Sequence, residues 1–150
     1  MLDDPFFTKW FKGVCRFLHE ESEATSETFL TYCAESCSKS YSLAVYQNAF
    51  DQEKSVEESM TLLANSFADF AYEIRPECIE IRYSACGCEL FTNELVRSKR
   101  LCRCSELSLA YNWESVFGKS NVRVERKASI LFGNKECVFE VKVKQLGHSW

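Results

Sequence analysis

Apolar residues in the first third of the chain recur at helical spacing. Phe6, Phe7, Trp10, Phe11, Val14, Phe17 and Leu18 share one face, which predicts an amphipathic helix over 5–20. The polar run "EESEATSE" breaks that pattern, and Thr25 or Ser26 supplies a cap for a second helix. The second helix is predicted to reach about Tyr46, with Phe29, Leu30, Cys33, Cys37, Tyr41 and Val45 on one stripe. Val56, Met60, Leu63, Phe67, Phe70 and Ala71 predict a third over roughly 54–72.

Pro76 halts any helix, and the period changes to two. Ile79, Ile81, Tyr83 and Ala85 alternate with Glu80, Arg82 and Ser84, the pattern of a half-buried strand. Ser105 is placed to cap a short helix with Leu109, Trp113, Val116 and Phe117 as its apolar face and Gly118 as its terminator. "NVRVERKASILF" and "CVFEVKV", joined through "GNKE", predict a β-hairpin with Cys137, Phe139, Val141 and Val143 on one face. The expected fold is therefore α+β, in a single domain over 1–150. N-terminal helices (about 5–72) would pack on a small, mainly antiparallel sheet contributed by a β-α-β-β half (about 77–143).

Composition narrows the classes. A chain of 150 residues can bury a core without staples, and its twelve Phe, six Tyr and three Trp suggest a thick core or a greasy cavity. A net charge of −4, with "RSKR" at 97–100 as the one dense basic spot, argues against nucleic acid. The N-terminus opens with acids rather than a signal sequence, and no apolar stretch approaches a membrane span. A cytoplasmic protein without membrane attachment is expected, with its nine cysteines reduced.

Two stretches, "SACGCEL" and "RLCRCSE", carry the candidate chemistry. Zinc takes four thiolates in a closed site or three in an open one, so it is the candidate cofactor for Cys86, Cys88, Cys102 and Cys104. On a strand Cys86 and Cys88 would point the same way. In a helix Cys102 and Cys104 would diverge by about 200°. They are therefore expected in the turn before Ser105. The alternative is that these are small residues filling a tight β–α junction. Cys33 and Cys37 read as buried thiols on a helical stripe, while Cys15 and Cys78 have no partner at ligand spacing. His19 and His148 read as surface residues, which disfavours a Ser-His or Cys-His triad. Five glycines form no phosphate loop.

Arg126 shares its strand face with Val122, Val124, Ala128, Ile130 and Phe132, so its guanidinium is expected to point toward the core. A guanidinium there needs a carboxylate, from an internal ion pair or from a ligand. Ser129 falls on the opposite face in ideal alternation.

The pattern Arg126-x-x-Ser129-Ile130-x-x-Gly133-x-x-x-Cys137-x-Phe139 resembles the terminal hairpin of the L-2-amino-thiazoline-4-carboxylic acid hydrolase-like family. It also resembles the small-molecule-binding domain named for 4-vinyl reductase, whose fold is shared with a TRAPP vesicle-tethering subunit. The resemblance covers roughly 79–143. It implies a zinc site in some ligand-sensing members, whose outer cysteines correspond to Cys102 or Cys104 and to Cys137. The inner positions fall near Arg126 and Ser129, so a rearranged site would recruit Cys86 and Cys88. The hydrolase-like family carries an acidic pair after its cysteines, where this chain has Ser105 and Glu106.

The leading expectation is a small-molecule-binding domain with an aromatic-lined pocket for an apolar or carboxylate-bearing ligand, anchored by Arg126. The alternative is hydrolysis of a cyclic amidine-like or thiazoline-like C–N bond. There a metal-bound water, or a thiolate such as Cys102 or Cys104, would attack with Glu106 as acid or base. A protein-interaction module is a third class, by fold analogy. A second copy of the chain is a candidate partner.

Overall fold

The computed structural model describes residues 4–51 and 53–150 and has the α+β architecture expected, helices packed on an antiparallel sheet. Asp4 accepts a hydrogen bond from the Phe6 amide at 2.8 Å, and Pro5 opens helix α1 (Pro5–Glu20), whose bounds match the apolar periodicity. Helix α2 (Glu23–Ser40) starts slightly earlier than expected, because Ser22 rather than Thr25 or Ser26 takes the cap. The long second helix is in fact two. Tyr41, at φ −157° and ψ −59°, breaks it, and α3 (Ser42–Ala49) follows.

Helix α4 (Val56–Ser66) is fixed by a capping box between Ser55 and Glu58. It stops short of the expected end at 72. Asp69 adopts a left-handed φ of 59°, and the chain returns as strand β1 (Phe70–Ile74). Phe67 and Phe70 fit either period, and two things outside the segment decide for the strand. All five β1 residues pair with β2 (Ile79–Tyr83), and Ser84 bonds back to Asp69 through its amide at 3.0 Å and its hydroxyl at 3.1 Å.

After a short helix α5 (Glu89–Thr92), helix α6 spans Leu101–Phe117. It begins four residues before the expected Ser105 cap because Leu101 and Cys102 are themselves buried, so the first turn docks rather than frays. Gly118, at φ 91°, ends α6 as the sequence suggests. Strands β3 (Val122–Ala128) and β4 (Cys137–Val143) complete the sheet in the order β1-β2-β4-β3. His148 is not a surface residue: it is buried, and its Nδ1 accepts the Val143 amide at 3.0 Å.

Two apolar clusters result. In one, Ile79, Ile81, Phe139 and Val141 of the sheet pack against Met60, Leu63 and Trp113. In the other, Leu18 and Leu30 meet Leu95, Val96 and Leu101. Each large side chain so buried contributes about 1.5–3 kcal/mol of transfer free energy. Helix α6 runs from the second cluster into the first, and the site lies along that run. Among the described residues, no helix is long and apolar enough to cross a membrane.

Candidate functional site

A cavity of about 210 Å³ opens between α6, the inner face of the sheet and the loop after β2. It is smaller than the ~300–1,000 Å³ usual for drug-sized ligands. All five cysteines singled out in the sequence, Cys86, Cys88, Cys102, Cys104 and Cys137, border it, as does Arg126. Cys37 joins them, and the exposed residues Cys37, Ala85, Gly87 and Ser105 mark its mouth.

The cysteines reach the cavity from directions other than those expected. Cys86 and Cys88 are not on a strand, since β2 ends at Tyr83; Cys88 lies at the start of α5, its carbonyl accepting the Phe91 and Thr92 amides. Cys102 and Cys104 both lie within α6, not in a turn before Ser105, so they diverge. The Cys102 thiol sits 3.0 Å from the Ser129 hydroxyl on the sheet side. Cys104 instead feels Cys37 and Cys33 of α2. Among the described residues, no group of three or more His, Cys, Asp or Glu side chains is placed to hold a metal ion.

Burial pushes the thiols of Cys86, Cys88 and Cys102 above their ordinary range. Cys104 is pushed up to about 12 by the same cause. At neutral pH the wall is therefore lined by thiols rather than thiolates, soft and weakly polar. The Ser129 hydroxyl and the charge of Arg126 work against burial at Cys102 alone among these four.

Arg126 and Ser129 share this site, although ideal alternation would separate them. A register irregularity between Arg126 and Ala128 ends the regular pairing, and Ser129 follows at 2 % exposure. Its hydroxyl accepts the Leu131 amide at 3.1 Å and its amide donates to Asn134 at 3.1 Å. The Arg126 guanidinium lies 4.8 Å from the centre of the Phe132 ring, and among the described residues no carboxylate forms a salt bridge with it. Glu106 does not border the cavity. It accepts the Arg126 amide at 3.4 Å and pairs with Arg103, which also grips Glu27 through two hydrogen bonds. No carboxylate borders the cavity among the described residues.

Of a polar row on α6, only Ser105 entered the sequence reading, and there as a helix cap. Ser105, Ser108 and Asn112, at spacings of three and four, border the cavity together with the apolar Leu101 and Leu109. The signal was present as a polar stripe on a helix otherwise read by its apolar face. Tyr46 of α3 also borders the cavity and was missed for the opposite reason, as one more aromatic in an aromatic-rich chain. No family model and no curated protein matches this chain, so the case for function rests on the geometry of the cavity.

Proposed function

We propose that this chain is a small-molecule-binding domain whose cavity takes a ligand with an apolar body and a carboxylate, anchored on Arg126. The observation that carries the reading is that Arg126 borders a mostly apolar cavity and, among the described residues, forms no salt bridge with a carboxylate. Its guanidinium rests on Phe132, on the side of the adjoining cleft that also holds Glu27. A ligand carboxylate would give this half-buried guanidinium a partner in a fork-to-fork geometry. The neutral thiols, Phe139, Leu101 and Leu109 offer the apolar body a dry wall.

A calorimetric titration with hexanoate, octanoate and decanoate, each beside the alcohol of equal length, tests this. The carboxylates should bind and the alcohols should be weaker by about tenfold or more, the worth of a charge-assisted hydrogen bond. Arg126→Gln should abolish that difference while leaving the alcohols unchanged. Equal binding of acid and alcohol, or no binding at any length, would overturn the reading.

The second reading, hydrolysis through a cysteine, is favoured by one observation: Cys102 alone lies within reach of both a hydroxyl and a cationic group. Against it stands the lack of a carboxylate bordering the cavity to serve as acid or base.

A further inference from the structure

Three side-chain polar atoms among the described residues are buried without a hydrogen-bond partner: the Tyr46 hydroxyl, the Asn112 Oδ1 and the Trp113 Nε1. The Tyr46 and Trp113 rings lie 5.8 Å apart, and Asn112 adjoins Trp113 in α6. Tyr46 and Asn112 both border the cavity, at 1 % and 3 % exposure. The other end of the Asn112 amide is held by the Ser42 hydroxyl at 2.9 Å, which fixes the plane of the group. Ser42 and Tyr46 are one turn apart on α3, so one face of α3 and one residue of α6 build this end of the cavity.

An unsatisfied buried oxygen or hydroxyl costs the full desolvation of the group unless something bonds to it. Burial also raises the Tyr46 phenol well above its usual value; Tyr83 adds to this and weak hydrogen bonding with Trp113 opposes it, so the Tyr46 group stays uncharged and the Asn112 Oδ1 is the clearest orphan of the three. This end of the cavity therefore suits a neutral polar group and rejects an ion. The opposite end is cationic. Cys102, which feels the Arg126 charge, and Asn112 are ten residues apart in α6, about 15 Å along its axis.

The geometry points to a two-ended ligand: an elongated apolar molecule with a carboxylate at Arg126 and a hydroxyl or primary amide at Asn112 and Tyr46. This rests on the binding reading above and adds the second recognition point. A hydroxyl both donates and accepts, so it satisfies the Asn112 amide and the Tyr46 phenol together, whichever way the amide is turned. A plain alkanoate leaves both unpaired, and an α,ω-dicarboxylate places a second charge where nothing neutralises it.

Titrating the protein with hexanoate, octanoate and decanoate, and with the ω-hydroxy acid and the dicarboxylate of each length, decides the matter. At the best-fitting length the ω-hydroxy acid should bind about three- to tenfold more tightly than the alkanoate, the range of one neutral hydrogen bond. The dicarboxylate should be the weakest of the three. Asn112→Leu should reverse the preference toward the alkanoate. Tyr46→Phe removes a single oxygen, and should narrow the preference even if Asn112→Leu does not fold. Alkanoates that bind as tightly as ω-hydroxy acids at every length would overturn the second recognition point and leave the Arg126 anchor standing. Failure of every acid to bind would overturn both.

Discussion

The thiol of Cys102 and the hydroxyl of Ser129 meet at 3.0 Å, tying the first turn of α6 to the chain just beyond β3. Ser129 is the more committed partner, because its hydroxyl also accepts the Leu131 amide and its own amide bonds to Asn134. Ser129→Ala leaves the Leu131 amide without its acceptor in a half-buried setting. It should cost about 1–3 kcal/mol in urea denaturation. Cys102→Ser keeps a donor and acceptor at the contact, and should cost less than Ser129→Ala. If the order is reversed, the contact is packing rather than a hydrogen bond.

Thiol labelling should be graded by position. Cys37 is exposed at the cavity mouth and, although burial of its sulfur and the nearby Glu89 raise its thiol as well, its access should let it react first with a maleimide at neutral pH. Cys104, with its thiol pushed up to about 12 by burial, should react only after denaturation. Mass spectrometry of partially labelled protein separates the two. A Cys104 that labels as fast as Cys37 would contradict the neutral, buried wall described above.

The same shift fixes a behaviour at alkaline pH. In the unfolded chain the Cys104 thiol ionises near its ordinary value of 9.0, whereas in the fold it stays protonated to about 12. The unfolded state therefore loses the proton first, and stability should fall as pH rises from about 9 toward 12. Cys104→Ala should flatten that fall, read as the pH dependence of the denaturation midpoint, at the cost of a lower plateau from the lost side chain.

His148 acts at the other end of the scale. Burial lowers its pKa below the usual 6.5, and hydrogen bonding to the Arg75 backbone opposes this in part. The unfolded chain binds the proton first, so stability is full above 6.5 and should decline as pH falls through the lowered folded value. His148→Asn retains an acceptor for the Val143 amide and removes the titration. The acid-side decline should be shallower in that variant.

A contrast comes from Arg103. Its contacts to Glu27 and Glu106 are short, at 2.9 and 2.6 Å to the first and 3.1 Å to the second, yet the Arg103 and Glu27 side chains are about two-fifths exposed. Arg103→Met should change stability by less than about 1 kcal/mol, since solvent screens such pairs. A larger loss would show that the network braces the β3 backbone through Glu106.

The sequence carried the elements whose periodicity has one solution. Helix α1 and strands β2 and β4 are unambiguous because apolar residues mark a single face. It could not carry the choices made by distant partners. Phe70 and Tyr72 join a sheet because Tyr83 and Ile81 lie opposite them, and no residue between 54 and 74 states this. The candidate site was legible as a list of side chains and not as an arrangement. Cys102 and Cys104 were expected to converge in a turn, and one fact, that the helix starts at Leu101, sent them to opposite neighbours. Asn112 was hidden because a polar residue on a helix looks solvated until the elements that cover it are known.

Strand β4 occupies an inner place in the sheet although it is the last strand of the described chain to be made. During vectorial synthesis β2 and β3 emerge with the edges they share with β4 open, and neither can be joined to the other until Cys137–Val143 appears. The wall that carries Cys137 and Phe139 is thus the last to be installed, and the cavity comes into being in one late step rather than by gradual enclosure. A ligand can stabilise only the finished chain, so a nascent copy halted before Cys137 would offer it no foothold.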